Sequence, residues 1–214
     1  SKRFKKKCTI LMNSVSVANA IKRNSHDTIV ISYVGNLHSN RWKSIVEIGK
    51  AIDLLNTKIC LDIYSASFIS KKMNKSFNLT NCITFKSKIS SKEVENVLRN
   101  SDVLLFVESF NRKSKASTKY SLSTKIPEYL NAHRCIFAYG PSDVSSIEYL
   151  RDNKLAIVCS SKENIESCLQ NMITTQLDVD NEKISAFVSQ HHDIEKNRII
   201  FEKIIKKRVE IKCE

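Results

Sequence analysis

Residues 28–64, TIVISYVGNLHSNRWKSIVEIGKAIDLLNTKICLDIY, contain an apolar run, a glycine turn, a helical pattern and a second apolar run. The two runs, 28–34 and 58–64, are rich in β-branched and aromatic residues, as buried strands are. The helical pattern at 42–55 has an apolar stripe formed by Ile45, Ile48, Ala51, Ile52 and Leu55. The order strand, helix, strand predicts neighbouring parallel strands of one sheet.

The same alternation continues along the chain. Apolar runs predict strands at 28–34, 58–64, 81–85, 102–107, 135–139 and 155–159. Helical patterns follow at 42–55, 91–100, 124–132, 144–151, 162–172 and 182–207. The polar segment 110–119 has no period, which favours a mobile loop at the carboxyl edge of the sheet. The predicted fold class is therefore α/β, a Rossmann-like, doubly wound parallel sheet of about six strands covered on both faces.

Length and composition limit the class of protein. The 214 residues suit one domain. The longest uncharged apolar stretches, 28–37 and 135–140, are far shorter than the roughly 20 residues of a membrane-spanning helix, and the N-terminus lacks the pattern of a secretory signal. The seven cysteines are odd in number and lack C-x-x-C spacing. We expect buried, reduced thiols in a cytoplasmic protein, without a metal site.

The net charge of +13 is concentrated at the chain ends. Residues 1–7 carry five positive charges, and 196–212 carry seven positive and two negative charges, so the ends hold ten of the thirteen. Basic ends fit an anionic membrane surface or an acidic partner, and a solvated helix face with a frayed terminus fits them equally. The mildly basic body makes nucleic acid an unlikely partner.

The first candidate site is the turn after the first predicted strand. Gly35 allows a close approach of the backbone to a ligand, and Arg41 and Lys43 lie at the start of the following helix. Free N–H groups and a forked guanidinium can bind phosphate there. The alternative is that both cations are ordinary surface charges. The chain lacks the G-x-G-x-x-G and G-x-x-x-x-G-K-[ST] patterns, so nicotinamide enzymes and P-loop NTPases are not favoured.

The second candidate site is residues 120–130, YSLSTKIPEYL. Ser123 and Thr124 are residue types that cap helices, and Pro127 is tolerated only in a first turn. A diphosphate can lie on the N–H groups there beside Lys125, while Glu128 accepts hydrogen bonds from a ribose diol. The alternative for Glu128 is a capping-box role.

Together these stretches resemble the C-terminal domain of GT-B-fold glycosyltransferases of the retaining, family 4 type. The similar segments are 9–15, 33–41, 81–107, 120–130 and 191–205. The resemblance implies that Lys88 and Ile89 hold the nucleotide base, and that Glu128 is the retained ribose-binding glutamate. Tyr120 stands where the first glutamate of the family's E-x7-E pattern is expected, and Ser87 replaces a glycine. Asn36 occupies a position that is arginine in many relatives, which leaves Arg41 as the matching cation.

The resemblance also implies that three segments of the chain have different roles. Residues 1–27 correspond to an interdomain segment, 28–180 to the nucleotide-sugar-binding domain and 181–214 to a C-terminal helix that packs back toward an N-terminal acceptor domain. That domain is not in this chain, since two α/β domains need about twice this length. We therefore expect an excised fragment or half of a split enzyme, inactive by itself.

The implied reaction transfers a sugar from a nucleoside diphosphate sugar to a saccharide or lipid-linked acceptor, as in polysaccharide assembly. No metal or other cofactor is needed, because Arg41 and Lys125 can stabilise the departing diphosphate. The implied location is the cytoplasm, at the inner face of the membrane. Two alternatives stay open: a non-catalytic interaction domain that uses its basic ends on membrane or nucleic acid, and a GT-B relative such as a sugar-nucleotide epimerase.

Overall fold

The computed structural model describes residues 9–20, 27–55, 57–175 and 179–210. Within these residues a single parallel sheet has the strand order β3-β2-β1-β4-β5-β6. The strands are β1 (Ile29–Val34), β2 (Ile59–Tyr64), β3 (Ile83–Lys86), β4 (Val103–Val107), β5 (Cys135–Tyr139) and β6 (Ile157–Cys159). The predicted six-stranded α/β class is confirmed. The order reverses between β1 and β4, and open α/β sheets bind ligands at the carboxyl edge of such a switch point.

The helices that connect these strands pack on both faces of the sheet. They are α1 (Arg41–Asp53), α2 (Lys71–Phe77), α3 (Ser91–Asn100), α4 (Arg112–Thr118), α5 (Lys125–Asn131), α6 (Ser145–Asp152), α7 (Ile165–Thr174), α8 (Asn181–His191) and α9 (Ile194–Glu210). Leu105 belongs to the apolar core on one face, and its neighbour Leu104 belongs to the core on the other. The alternation explains why β4 is buried throughout and why its sequence is continuously apolar.

The predicted loop at 110–119 is wrong, because most of it forms helix α4. The side chain of Asn111 accepts hydrogen bonds from the N–H groups of Lys113 and Ser114 and so caps this helix. None of the residues of α4 is buried. A short helix that buries no apolar face has no apolar period, which is why the sequence pattern did not show it. Helix α2, also missed, is capped in the same way by Ser70.

The single helix predicted at 182–207 is two helices, separated at His192. The imidazole of His192 is fully buried, with Nδ1 2.7 Å from the carbonyl oxygen of Asn13 and Nε2 2.9 Å from the hydroxyl of Tyr149. Asp193 pairs with Val15 in a short parallel bridge and caps α9 through its side chain. These contacts interrupt the helix and attach the N-terminal segment to it. Burial also lowers the pKa of His192.

Some predictions fall on residues outside the described ranges, namely the basic N-terminus at 1–7 and two cysteines, Cys8 and Cys213. The five described cysteines are free thiols. Among the described helices, none combines the length and apolarity needed to cross a membrane.

Replacing Leu104 by alanine should lower the free energy of unfolding by about 2–5 kcal/mol, because the side chain is 0% exposed and leaves a cavity between packed layers. The matched control is Leu79→Ala, since Leu79 is 66% exposed, and it should change stability by less than about 0.5 kcal/mol. Urea denaturation followed by circular dichroism measures both. Equal losses in the two variants would contradict the described core.

Candidate functional site

A cavity of about 140 Å³ opens at the carboxyl edge of the sheet, at the switch point between β1 and β4. Both predicted phosphate-binding stretches line it. Asn36 and Arg41 come from the first stretch, and Ser123, Thr124 and Lys125 come from the second. The fold thus brings together five of the predicted site residues that are far apart in sequence.

The guanidinium of Arg41 is held by two partners. Nη2 donates to both carboxylate oxygens of Glu108 at 3.1 Å, and Nη1 donates to Oδ1 of Asn36 at 3.1 Å. The side chain of Glu108 is only 5% exposed and that of Arg41 is 19% exposed. An ion pair this far from water is weakly screened, so it fixes the guanidinium at the mouth of the cavity.

The sequence analysis missed Glu108. It directly follows the five buried apolar residues of β4, at the carboxyl end of a central strand. Its position could have identified it from the sequence, because residues that follow the central strands lie at the ligand-binding edge of the sheet.

Lys125 extends across the backbone of Gly35. Its ammonium lies 5.0 Å from the ring centroid of Tyr33, and a Cβ atom added to Gly35 would be only 1.6 Å from Nζ. Gly35 has φ +156°, and its missing side chain leaves the room that the lysine occupies. The hydroxyl of Tyr33 donates to the carbonyl oxygen of Asn36 at 2.5 Å, which holds the same turn in place.

The ammonium group of Lys125 has a pKa below that of an ordinary lysine. Burial lowers its pKa to about 8; the positive charge of Arg41 acts in the same direction, and Glu108 and Glu128 act against it. The charged form of Lys125 is therefore poorly stabilised in the empty site. An anion bound beside the ammonium would stabilise that form.

The loop before α5 is attached to α6. The hydroxyl of Ser146 accepts a hydrogen bond from the N–H of Ser123 and donates one to the carbonyl oxygen of Ser121, both at 3.0 Å. Thr124, the N-cap residue of α5, makes no side-chain capping bond. The capping box considered for Glu128 is therefore not formed.

Two further cavities continue from the first. One, of about 340 Å³, adjoins it at Asn36 and is also lined by Gly35, His38, Lys88 and Ile89. The next, of about 400 Å³, contains Glu128 and shares Val94 with its neighbour. Nine of the ten predicted binding residues thus line one continuous series of cavities.

The carboxylate of Glu128 makes no hydrogen bond or ion pair with any residue in the described ranges. Although the residue is exposed, the surrounding protein removes enough water to raise the pKa of the carboxyl group, an effect that Lys125 partly offsets. A carboxylate in this state gains from new hydrogen-bond donors, and the diol of a ribose supplies two.

Tyr120 does not join the other predicted residues. It is 86% exposed, and the ammonium of Lys119 lies 5.5 Å from the centre of its ring. It lines none of the three cavities. The acidic residue that lines the first cavity is Glu108, whereas Tyr120 stands where the family has the first glutamate of its E-x7-E pattern.

Of the histidines that the structure describes, only His38 lines one of these three cavities. His133 is buried, with Nε2 3.1 Å from the carbonyl oxygen of Ala18, and His192 lies between the N-terminal segment and α6. These two side chains therefore hold the N-terminal segment on the domain. No group of three or more His, Cys, Asp or Glu side chains in the described part of the chain is placed to hold a metal ion.

No protein-family model matches the chain, and no curated protein matches it in sequence. Solved structures match its fold. HepE of Anabaena, solved with UDP-glucose, superposes with a TM-score of 0.64 at 13% identity, over 84% of this chain and 49% of HepE. A UDP-forming α,α-trehalose-phosphate synthase of Burkholderia vietnamiensis gives 0.64 at 8% identity, over 88% of this chain and 46% of the synthase. The C-terminal domain of the group 1 glycosyl transferase LpcC of Francisella tularensis gives 0.58 at 14% identity, over 78% and 87%.

The chain therefore spans about half the length of HepE and of the synthase, and most of the separately solved C-terminal domain. Identities this low establish a shared fold alone. The architecture is that of the C-terminal half of GT-B glycosyltransferases, as the sequence analysis predicted.

Replacing Arg41 by glutamine should raise the pKa of Lys125 from about 8 toward the usual value of about 10.4, because one nearby positive charge is removed. Glu108→Gln should lower that pKa further, because it removes a negative charge. NMR titration of ¹³C-labelled lysines measures the shift, and Lys125→Arg identifies the signal. The described site is wrong if Lys125 titrates with the surface lysines in the unmodified chain.

Proposed function

We propose that this chain is the donor-binding domain of a glycosyltransferase of the retaining, family 4-like type. It binds a nucleoside diphosphate sugar, whose sugar is transferred to a saccharide or lipid-linked acceptor. One observation carries the proposal. Two cations, Arg41 and Lys125, line one cavity, and Lys88, Ile89 and the unpartnered carboxylate of Glu128 line two neighbouring cavities that are linked to it by shared lining residues.

The diphosphate belongs in the cavity at the switch point. The guanidinium of Arg41 can bind two phosphate oxygens at once, and Lys125 adds a second charge that an anion stabilises. When the sugar leaves, negative charge grows on the diphosphate, and cations already in place stabilise it without reorganisation. This charge stabilisation supplies what the departing group requires, so we propose a reaction that needs no metal ion.

The nucleoside belongs in the two cavities that follow. We place the base against Lys88 and Ile89 and the ribose diol on Glu128. Glu128 lies in the first turn of α5 with Lys125 and interacts with it electrostatically, so a ribose on Glu128 can lie next to a diphosphate on Lys125. Hydrogen bonds from the diol satisfy the carboxylate, and the apolar side chains of Ile89 and Val94 exclude water from the base. This placement also allows His38, which lines the same cavity, to contact the diphosphate.

We propose that a further part of the enzyme completes the acceptor site. The N-terminal segment and α9 leave the domain side by side, since the side chain of Asn197 donates to the carbonyl oxygen of Met12 at 2.8 Å. Apolar side chains remain exposed there, namely Ile10, Leu11, Ile194, Ile199, Ile200, Phe201 and Ile205. We propose that this surface packs against an acceptor domain, so that the chain alone binds donor without completing transfer. The free thiols support a cytoplasmic location, where disulfides are rare.

Calorimetric titration of the chain with uridine, guanosine, cytidine and thymidine diphosphates tests the proposal. One diphosphate should bind selectively. Arg41→Gln should weaken it by about 10–100-fold, because a charge-assisted hydrogen bond contributes about 1.5–3 kcal/mol. Glu128→Gln should weaken it by about tenfold and should act on the nucleoside diphosphate without changing the affinity for inorganic pyrophosphate.

The matched control is Lys58→Gln, which removes one exposed charge at the opposite edge of the sheet. It should change the affinity by less than about twofold. Arg41→Lys keeps the charge beside Glu108 but loses the forked geometry, so an intermediate affinity is expected if the fork matters. A folded chain that binds none of the four diphosphates would overturn the proposal.

The affinity for the diphosphate should also depend on pH. Above about pH 8 the empty site loses the proton of Lys125, and the bound anion favours the protonated form. The association constant should therefore fall by up to about tenfold per pH unit above 8. Calorimetry between pH 7 and 10 measures the fall, and Lys125→Gln should remove it. An unchanged pH profile in that variant would contradict the proposed role of Lys125.

A further inference from the structure

A group of cations, three of them exposed and two half-buried, lies beside the proposed diphosphate cavity. We call this group the cationic rim and define it as Lys43, Arg112, Lys113, Lys115 and Lys119. Four of these residues belong to α4 or directly follow it, and that helix has no acidic residue. The fifth lies in the first turn of α1, two residues after Arg41.

Contacts with two other segments fix α4 beside the cavity. Nδ2 of Asn40, the residue before α1, is 3.4 Å from the hydroxyl of Ser114. Lys115 and Lys119 lie 2.8 and 3.7 Å from the carboxylate of Asp143, in the loop between β5 and α6, and the N–H of Ser145 donates to the carbonyl oxygen of Lys119 at 2.9 Å. Helix α4 therefore lies next to the starts of both α1 and α6.

The charges of the rim are not balanced by the protein around it. Asp143 is shared by two lysines, and Glu108 is already paired with Arg41. Lys43, Arg112 and Lys113 are exposed, and no carboxylate in the described part of the chain pairs with them. The adjoining cavity contains two cations, Arg41 and Lys125, and one carboxylate, Glu108, so it offsets about one of the two negative charges of a bound nucleoside diphosphate sugar. The five cations of the rim outnumber Asp143 and the charge that remains. The rim thus keeps an excess of positive charge after the donor is bound.

We propose that the cationic rim binds the acceptor, and that the acceptor is a saccharide carrying carboxylate or phosphate groups. This inference rests on the proposed function, because an acceptor must reach the sugar held at the neighbouring cavity. Exposed Lys and Arg side chains attract an extended polyanion and orient it. The exposed ring of Tyr120, beside Lys119, offers a flat apolar face against which a sugar ring can pack.

The composition of α4 favours a hydrated saccharide over a lipid bilayer. Its sequence, RKSKAST, has no large apolar side chain. A helix that lies on a membrane needs an apolar face to insert between the headgroups, in addition to cations. At the rim only Tyr120 is both large and exposed, which is too little for insertion.

The test compares two double variants of the chain with equal loss of charge. Arg112→Gln with Lys113→Gln changes the rim, and Lys58→Gln with Lys75→Gln changes exposed lysines at the opposite edge of the sheet. The probes are a galacturonate oligomer, a neutral maltose-series oligomer of the same length, and vesicles of phosphatidylcholine with phosphatidylglycerol. Affinities for the oligomers and for UDP are measured by calorimetry, and vesicle binding is measured by sedimentation.

We expect the unmodified chain to bind the galacturonate oligomer and not the neutral one. The rim variant should lose about tenfold in that affinity, whereas the control variant and the UDP affinity of both should change by less than about twofold. Equal losses in the two variants would show general attraction to basic protein and overturn the inference. Binding to vesicles without binding to the oligomer would overturn it in favour of a membrane surface.

The two proposals fail in different ways. If the chain binds the galacturonate oligomer through the rim but binds no nucleoside diphosphate, the proposed donor site is wrong and the rim is an anion-binding surface only. If the chain binds UDP but does not bind the oligomer through the rim, the proposed donor site stands and the proposed acceptor site is wrong.

Discussion

The paired side chains of Arg41 and Glu108 connect the two halves of the candidate site. The backbone of Glu108 is fixed by β5, since its N–H donates to the carbonyl oxygen of Tyr139 at 2.9 Å, and by Ser44, whose hydroxyl donates to the carbonyl oxygen of Glu108 at 3.2 Å. Its carboxylate then holds the guanidinium, which also holds Asn36. Removing one partner of a buried ion pair costs about 3–5 kcal/mol. Moving the guanidinium of Arg41 away from Glu108 would destabilise the fold, so the pair keeps this cation at the cavity.

The same pair limits how tightly the site can hold an anion. Glu108 neutralises part of the positive charge, so the cavity that contains Arg41 and Lys125 has two cations against one carboxylate, a net charge of about +1. With the carboxylate absent, two partly buried cations would repel each other, and the pKa of Lys125 would fall further. In the proposed reaction, a departing diphosphate must be stabilised and then released. A site with one carboxylate and two cations gives moderate attraction, which suits both requirements better than uncompensated charge does.

The sequence predicted the sheet well, because its strands are mostly apolar and the two central strands β4 and β5 are buried at every residue, as in a parallel sheet covered on both faces. It predicted α3 to the residue, since that helix combines an amphipathic pattern with a capping box of Ser90 and Glu93. Helices α2 and α4 were missed because they are short and bury little. The break at His192 was missed because it depends on Asn13 and Tyr149, which are distant in sequence.

The site was predicted less evenly than the fold. Residues immediately after strands, such as Gly35, Asn36 and Lys88, fall where a parallel sheet must place them. Tyr120 was assigned from the resemblance, by its spacing from Glu128. The structure places the side chain of Tyr120 at the surface, just after α4, and the carboxylate that lines the first cavity is that of Glu108, from the end of β4.

The two groups of cations at the carboxyl edge of the sheet differ in how deeply they are buried. Arg41 and Lys125 are partly buried, so salt screens their interaction with an anion only weakly, and their effect is local and geometric. Three cations of the rim are exposed and two are half-buried, and dissolved salt weakens their attraction for an anion over a Debye length of about 8 Å at physiological ionic strength. Under the two proposals, a small ligand at the switch point and an extended ligand along α4 therefore obey different physical rules, although both carry negative charge. Salt weakens the proposed contact with the acceptor more than the proposed contact with the donor.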